Sequence, residues 1–141
     1  MVILDTDHLS LIQRNGIEGK RILSRLANIP ETEVRVCVVT YEEQVRGRLS
    51  VLSKAKLIEE QVLAYQGLQQ LIRDYQLISV IGFDHIAASE YQRLRKAYPR
   101  IGNMDLRIAA VTLTQKAVLL TRNTSDFGQI SELTIEDWTL E

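Results

Sequence analysis

An α/β fold built on a mostly parallel sheet is predicted from three observations. Short apolar runs suited to buried strands recur along the 141 residues, at 2–4, 34–39, 78–81, 117–121 and, more weakly, 133–136. Amphipathic helical patterns separate them. Acids stand where those runs end or where helices begin: Asp5 after Val2-Ile3-Leu4, Glu43 after Val36-Cys37-Val38-Val39, and Asp105 near the start of the apolar helix that follows Ile101.

Taken in order, a first helix opens at Thr6 or Asp7, either of which can cap it, and stops at Asn15-Gly16. A second covers roughly 17–28 and turns Ile17, Ile22, Leu23 and Leu26 inward. A third runs from Thr40 to about Ser53. The fourth, 54–76, carries Ile58, Val62, Tyr65, Leu68, Ile72 and Tyr75 at spacings of three and four, a stripe that reads first as core and, being long for a small domain, could also serve partner chains. A fifth extends from Asp84 to about Tyr98, where Pro99 ends it. The sixth begins near an Asn103 cap and carries Leu106, Ile108, Ala109, Ala110 and Leu113. No repeat, linker or low-complexity stretch divides the chain, so residues 1–141 are expected to form one domain.

Composition narrows the function classes. Apolar residues make up 45% and charged residues 25%, as in ordinary globular proteins. The net charge of −1 argues against tight, sequence-blind nucleic-acid binding. Cys37 is the single cysteine, so no internal disulfide can form, which suits a reducing compartment. No apolar run approaches the roughly 18 residues of a membrane span, and the amino terminus lacks a secretory pattern. A cytoplasmic location without membrane attachment is therefore expected.

Each acid has a structural reading beside a chemical one. Asp7 could cap the first helix, and Thr6 and Asp7 are better placed for this than Asp5. Thr40-Tyr41-Glu42-Glu43 fits a capping box in which Glu43 reaches back to the Thr40 N–H. Asp105 would favour the helix dipole two residues past Asn103. The combination points elsewhere. In a parallel sheet the carboxyl ends of the strands share one edge, where ligand crevices form. Carboxylates gathered there repel one another unless a cation sits among them. Mg²⁺ or Mn²⁺, which take oxygen ligands, suit such a set, and a metal pair can activate water against a phosphodiester. No His/Cys cluster suggests zinc: His8 and His85 are isolated and read as helix-start or surface residues.

Four stretches, Leu4–Ser10 (LDTDHLS), Val39–Gly47 (VTYEEQVRG), Ile101–Ala110 (IGNMDLRIAA) and Leu119–Phe127 (LLTRNTSDF), resemble in order the four motifs of PIN domains, and most closely those of VapC toxins. The resemblance extends to the closing LTIEDW at 133–138. It implies a three-layer α/β/α fold with a five-stranded parallel sheet. It also implies Asp5 and Asp105 as metal ligands, Glu43 completing the acidic pocket directly or through water, and Asn123 at a fourth position where many members carry aspartate. Asp126 could serve that position instead or cap a loop, and Asp7 could orient Asp5 or cap the helix. Glu43 is preferred to Glu42 because it lies three residues after Thr40 and four before Gly47. The implied activity is Mg²⁺- or Mn²⁺-dependent endoribonuclease cleavage of single-stranded or structured RNA, transfer RNA in particular. The implied partners are a VapB-type antitoxin and a second copy of the chain.

Two basic stretches could guide RNA. Residues 46–56 hold Arg46, Arg48, Lys54 and Lys56 without an acid, and 93–100 hold Arg93, Arg95, Lys96 and Arg100 beside Tyr98. Solvated helix faces are the alternative for both. Arg46 and Arg48 are preferred, since they continue the helix that carries Glu43. Trp138 reads as packing. Two rival functions share these residues: a non-catalytic PIN scaffold that binds RNA or an antitoxin, motivated by Asn123, and a haloacid dehalogenase-like phosphatase with Asp5 as nucleophile. The second expects Thr or Val where Leu9 stands, and no suitable lysine motif follows.

Overall fold

The computed structural model describes residues 1–141. Five strands form one sheet: β1 (Val2–Leu4), β2 (Val34–Cys37), β3 (Val80–Ile81), β4 (Val118–Leu120) and β5 (Ile135–Glu136). Their spatial order is β3-β2-β1-β4-β5, and every neighbouring pair is parallel. The strands are short but their centres are closed to water, with Ile3, Val36, Cys37, Leu119 and Leu120 all fully buried. Continuous apolar runs rather than alternation are what a sheet covered on both faces requires.

Seven helices surround the sheet: α1 (Thr6–Arg14), α2 (Ile17–Leu26), α3 (Val38–Lys54), α4 (Ile58–Gln76), α5 (His85–Ala97), α6 (Asn103–Thr114) and α7 (Thr124–Phe127). On one side Leu94, Leu106, Ile108 and Ala109 of α5 and α6 close over Ile3 and Leu119. On the other, Leu9, Leu11 and Ile22 of α1 and α2 meet Val2, Leu4, Val36 and Trp138. The helix pairs α1–α2, α3–α4 and α5–α6 each pack together, and α3 touches both α1 and α6. Trp138 is packing, as expected, and carries the Arg25 guanidinium over its ring at 4.5 Å.

Several boundaries depart from the sequence reading for identifiable reasons. Val38 and Val39, β-branched residues that look like strand, begin α3, because Cys37 ends the strand with its Sγ accepting the Val39 N–H at 3.4 Å. Thr40 is therefore a helix residue, and the capping box with Glu43 does not exist. The sixth helix has Gly102 as its cap position, not Asn103, whose side-chain oxygen accepts from Tyr91 and Arg95 instead. Helix α7 is too short for apolar periodicity to reveal it.

The largest correction concerns α4. Only Ala64 and Leu71 are buried there, and Leu68 and Tyr75 are half-buried. Ile58, Val62, Tyr65 and Ile72 stand 49–66% exposed. The helix turns its small residues toward α3, where Gly67 lies against the stem of Arg48. That orientation leaves the larger apolar residues facing outward.

Candidate metal centre

The sheet order places the crevice. β1 runs to β2 on one side and β4 on the other, so the chain diverges at the carboxyl ends of β1 and β4. Asp5 follows β1, and its backbone N–H extends the ladder to Leu120 O at 3.0 Å. Asn123 follows β4. Helix α3, leaving β2, carries Glu43 on its second turn, and α6, entering β4, carries Asp105 on its first. All four side chains line one cavity of about 310 Å³, together with Thr6, Asp7, Ser10 and Arg14.

Asp5 is the buried member, only 6% exposed. It also caps α1, accepting the His8 N–H at 2.7 Å, a role expected of Thr6 or Asp7. Burial pushes its carboxyl up to about 6. Hydrogen bonds from Thr121 and the His8 N–H pull the other way, while the charges of Asp7 and Asp105 add to the rise. Burial likewise raises Asp105, reinforced by the charges of Glu43 and Asp126. No lysine or arginine forms an ion pair with Asp5, Glu43 or Asp105. Acids that destabilise one another's charge in a shared cavity mark a place for a cation.

Glu43 is held in place by Thr6, whose hydroxyl donates to its Oε1 at 2.6 Å. The adjacent Glu42 is drawn to the surface by Arg46 at 2.6 Å. Of the two acids, Glu43 is thus the one that reaches the cavity. Arg46, 70% exposed, lines neither this cavity nor the adjoining groove, whereas Arg48 lines that groove.

The other acids have different tasks. Asp7 neither caps nor orients Asp5: both its oxygens accept from Arg122, at 2.7 and 2.9 Å, which holds its carboxyl below the usual range and ties α1 to the end of β4. Asn123, not Asp126, is the cap of α7, with its Oδ1 accepting the Asp126 N–H at 3.2 Å. Asp126 in turn accepts from the Asn123 amide and adds negative charge near Asp105.

His8 is no surface residue. It is fully buried, its Nε2 accepts the Trp138 N–H at 3.2 Å, and burial lowers its basicity. A neutral ring accepting at Nε2 carries its proton on Nδ1, 3.6 Å from Asp5 Oδ1 and beyond hydrogen-bond length. His85, in contrast, is exposed at the start of α5. Asp5, Asp7 and His8 bring their ligand atoms within 4.8 Å of one another, the tightest such grouping. With Asp7 engaged by Arg122 and His8 by Trp138, only Asp5 of these three is free to serve a metal. Asp5, Glu43 and Asp105 form a wider ring around the same cavity, and all three offer hard oxygen donors of the kind Mg²⁺ and Mn²⁺ take.

Arg14 and Arg122 were not singled out from sequence, Thr6 was read there only as a possible helix cap and His8 only as a helix-start or surface residue. The contacts of Thr6 and Arg122 span 37 and 115 positions.

A parallel sheet in this order, with acids at its switch point, is the architecture of a PIN domain. Solved structures agree. VapBC-1 from nontypeable Haemophilus influenzae matches at a TM-score of 0.75 and 26% identity, covering 99% of this chain and 100% of that one. VapBC2 from Rickettsia felis, bound to a DNA fragment from its promoter, shares the fold at a TM-score of 0.76 and 24% identity, covering 98% and 99%. In sequence, Ribonuclease VapC1 of Haemophilus influenzae strain R2866 is 28% identical over 138 residues, 97% of each chain. No protein-family model matches. In fold, and in sequence along nearly its whole length, the chain is similar to PIN-domain proteins of the VapC type.

Proposed function

We propose that this chain is the ribonuclease toxin of a toxin–antitoxin pair, a divalent-metal-dependent endonuclease acting on single-stranded or structured RNA, transfer RNA being the favoured class. The observation that carries the reading is the meeting of Asp5, Glu43, Asp105 and Asn123 in one cavity, where the three acids form no ion pair with a lysine or arginine and Arg14 is the one basic residue of the lining. The full-length similarity to a protein named as a ribonuclease supports it.

In this reading Asp5 and Asp105 hold the cation. Glu43, fixed by the Thr6 hydroxyl, directs its carboxylate into the same space and completes the shell directly or through water. A bound Mg²⁺ or Mn²⁺ supplies Lewis-acid polarisation of a phosphoryl oxygen and of water. Asn123 contributes an amide rather than a charge, and its oxygen is engaged by the Asp126 N–H and the Ser125 hydroxyl. Asp126 supplies the fourth negative charge nearby without lining the cavity.

The partner classes follow the same logic. Structures of similar fold are VapBC complexes, which supports a VapB-type antitoxin as partner. The outward apolar residues of α4 support association with that antitoxin and with a second copy of the chain. No helix is long and apolar enough to cross a membrane.

The test is cleavage of end-labelled total RNA by antitoxin-free protein in Mg²⁺, in EDTA, and with Asp105→Asn. Discrete products that need Mg²⁺ and vanish in the variant are expected. Absence of cleavage in Mg²⁺ would leave a non-catalytic binding scaffold as the account.

A further inference from the structure

Between α1 and α3 a groove of about 270 Å³ opens beside the acidic cavity and shares Thr6, Ser10, Arg14 and Glu43 with it. No apolar residue lines it. Gly47 leaves open space at its wall, and two arginines line it, Arg14 from the last turn of α1 and Arg48 from α3. Elsewhere Arg21, Arg25, Arg46, Arg93 and Arg122 are all engaged by carboxylates. Arg14 and Arg48 are in no ion pair. The Arg48 Nε is moreover buried with no hydrogen-bond partner, its stem lying against Gly67 of α4. Buried donors are rarely left unpaired in native proteins, and a planar guanidinium matches a phosphate with two parallel hydrogen bonds.

We infer that this groove is a phosphate subsite, in which Arg14 and Arg48 hold the backbone phosphate of the RNA strand flanking the one at the acids. The inference rests on the nuclease reading. It assigns the acidic cavity to the bond that is cut and the groove to positioning, so that the strand leaves the metal centre past Thr6 toward α3.

The experiment is fluorescence anisotropy of a labelled short single-stranded RNA in EDTA, where nothing is cut, at several salt concentrations. Arg14→Gln and Arg48→Gln should each weaken binding roughly tenfold, about the worth of one charge-assisted contact. Each should also flatten the salt dependence by about 0.7 in log–log slope. Arg48→Lys should recover part of the affinity, and Arg46→Gln should change neither quantity. Thermal melting of each variant shows that it is folded. Unchanged affinity and slope in the folded Arg14 and Arg48 variants, or an equal loss in Arg46→Gln, would overturn the subsite. A parent that cleaves RNA while those variants bind normally defeats the subsite alone. A parent that binds through these arginines and never cleaves defeats the nuclease reading alone.

Discussion

Asp5 carries two duties that pull in opposite directions. As the cap of α1 it is welcome ionised, accepting the His8 N–H. As a buried acid beside Asp7 and Asp105 it is costly ionised, and its carboxyl is pushed up to about 6 from an ordinary value near 4. Between those two pH values the folded chain binds the proton more tightly than the unfolded chain, so stability falls as pH rises and the penalty is complete above about 6. Its size is on the order of 3 kcal/mol. Asn caps a helix as well as Asp and bears no charge. In EDTA, Asp5→Asn should therefore gain stability over the parent as pH is raised from 4 to 7, by up to about that amount, measured by urea unfolding. A difference that stays flat across this range would contradict the assignment. Much of the site was legible at this scale: Asp5, Glu43 and Asp105 could be picked out by their places after strands and in first turns. The side chains that fix them could not. Thr6 reaches Glu43 across 37 positions and Arg122 reaches Asp7 across 115, and nothing local announces either pairing.

At the scale of elements, α1 and α2 must lie close for Asp5 and His8 to sit at the start of a buried helix, and Gly19 permits it. A Cβ there would stand 2.3 Å from the Leu11 carbonyl oxygen and 2.9 Å from its carbon, both rigid backbone. Alanine would ordinarily favour a helix by up to about 1 kcal/mol over glycine. Here overpacking should win, so Gly19→Ala is expected to destabilise by roughly 1–3 kcal/mol in denaturant unfolding. A neutral or stabilising result would mean that the two helices separate freely. The strands and the six longer helices could be found from apolar periodicity, because burial imposes that pattern. Their ends could not where capping decides. Cys37 halts β2 and begins α3 two residues inside a β-branched run, which carries Glu43 from a cap position to the cavity wall. Periodicity also identified the apolar stripe of α4 without saying what covers it. The helix buries Ala64 and Leu71 against its neighbours and exposes Ile58, Val62, Tyr65 and Ile72.

For the whole molecule, the net charge of −1 conceals a division of labour. Acids without ion-pair partners collect at the carboxyl edge of the sheet, two unpaired arginines line the adjoining groove, and Arg21, Arg25, Arg46, Arg93 and Arg122 are paired with carboxylates elsewhere. The central claim is that acids from β1, α3 and α6, distant in sequence, form one cation site. Its most direct test is Mn²⁺ binding followed by electron paramagnetic resonance, in the parent, Asp105→Asn and Asp7→Asn. Saturable binding in the parent and in Asp7→Asn, with a loss of at least about tenfold in affinity for Asp105→Asn, is the predicted result. Equal binding by parent and Asp105→Asn, or a loss confined to Asp7→Asn, would contradict it.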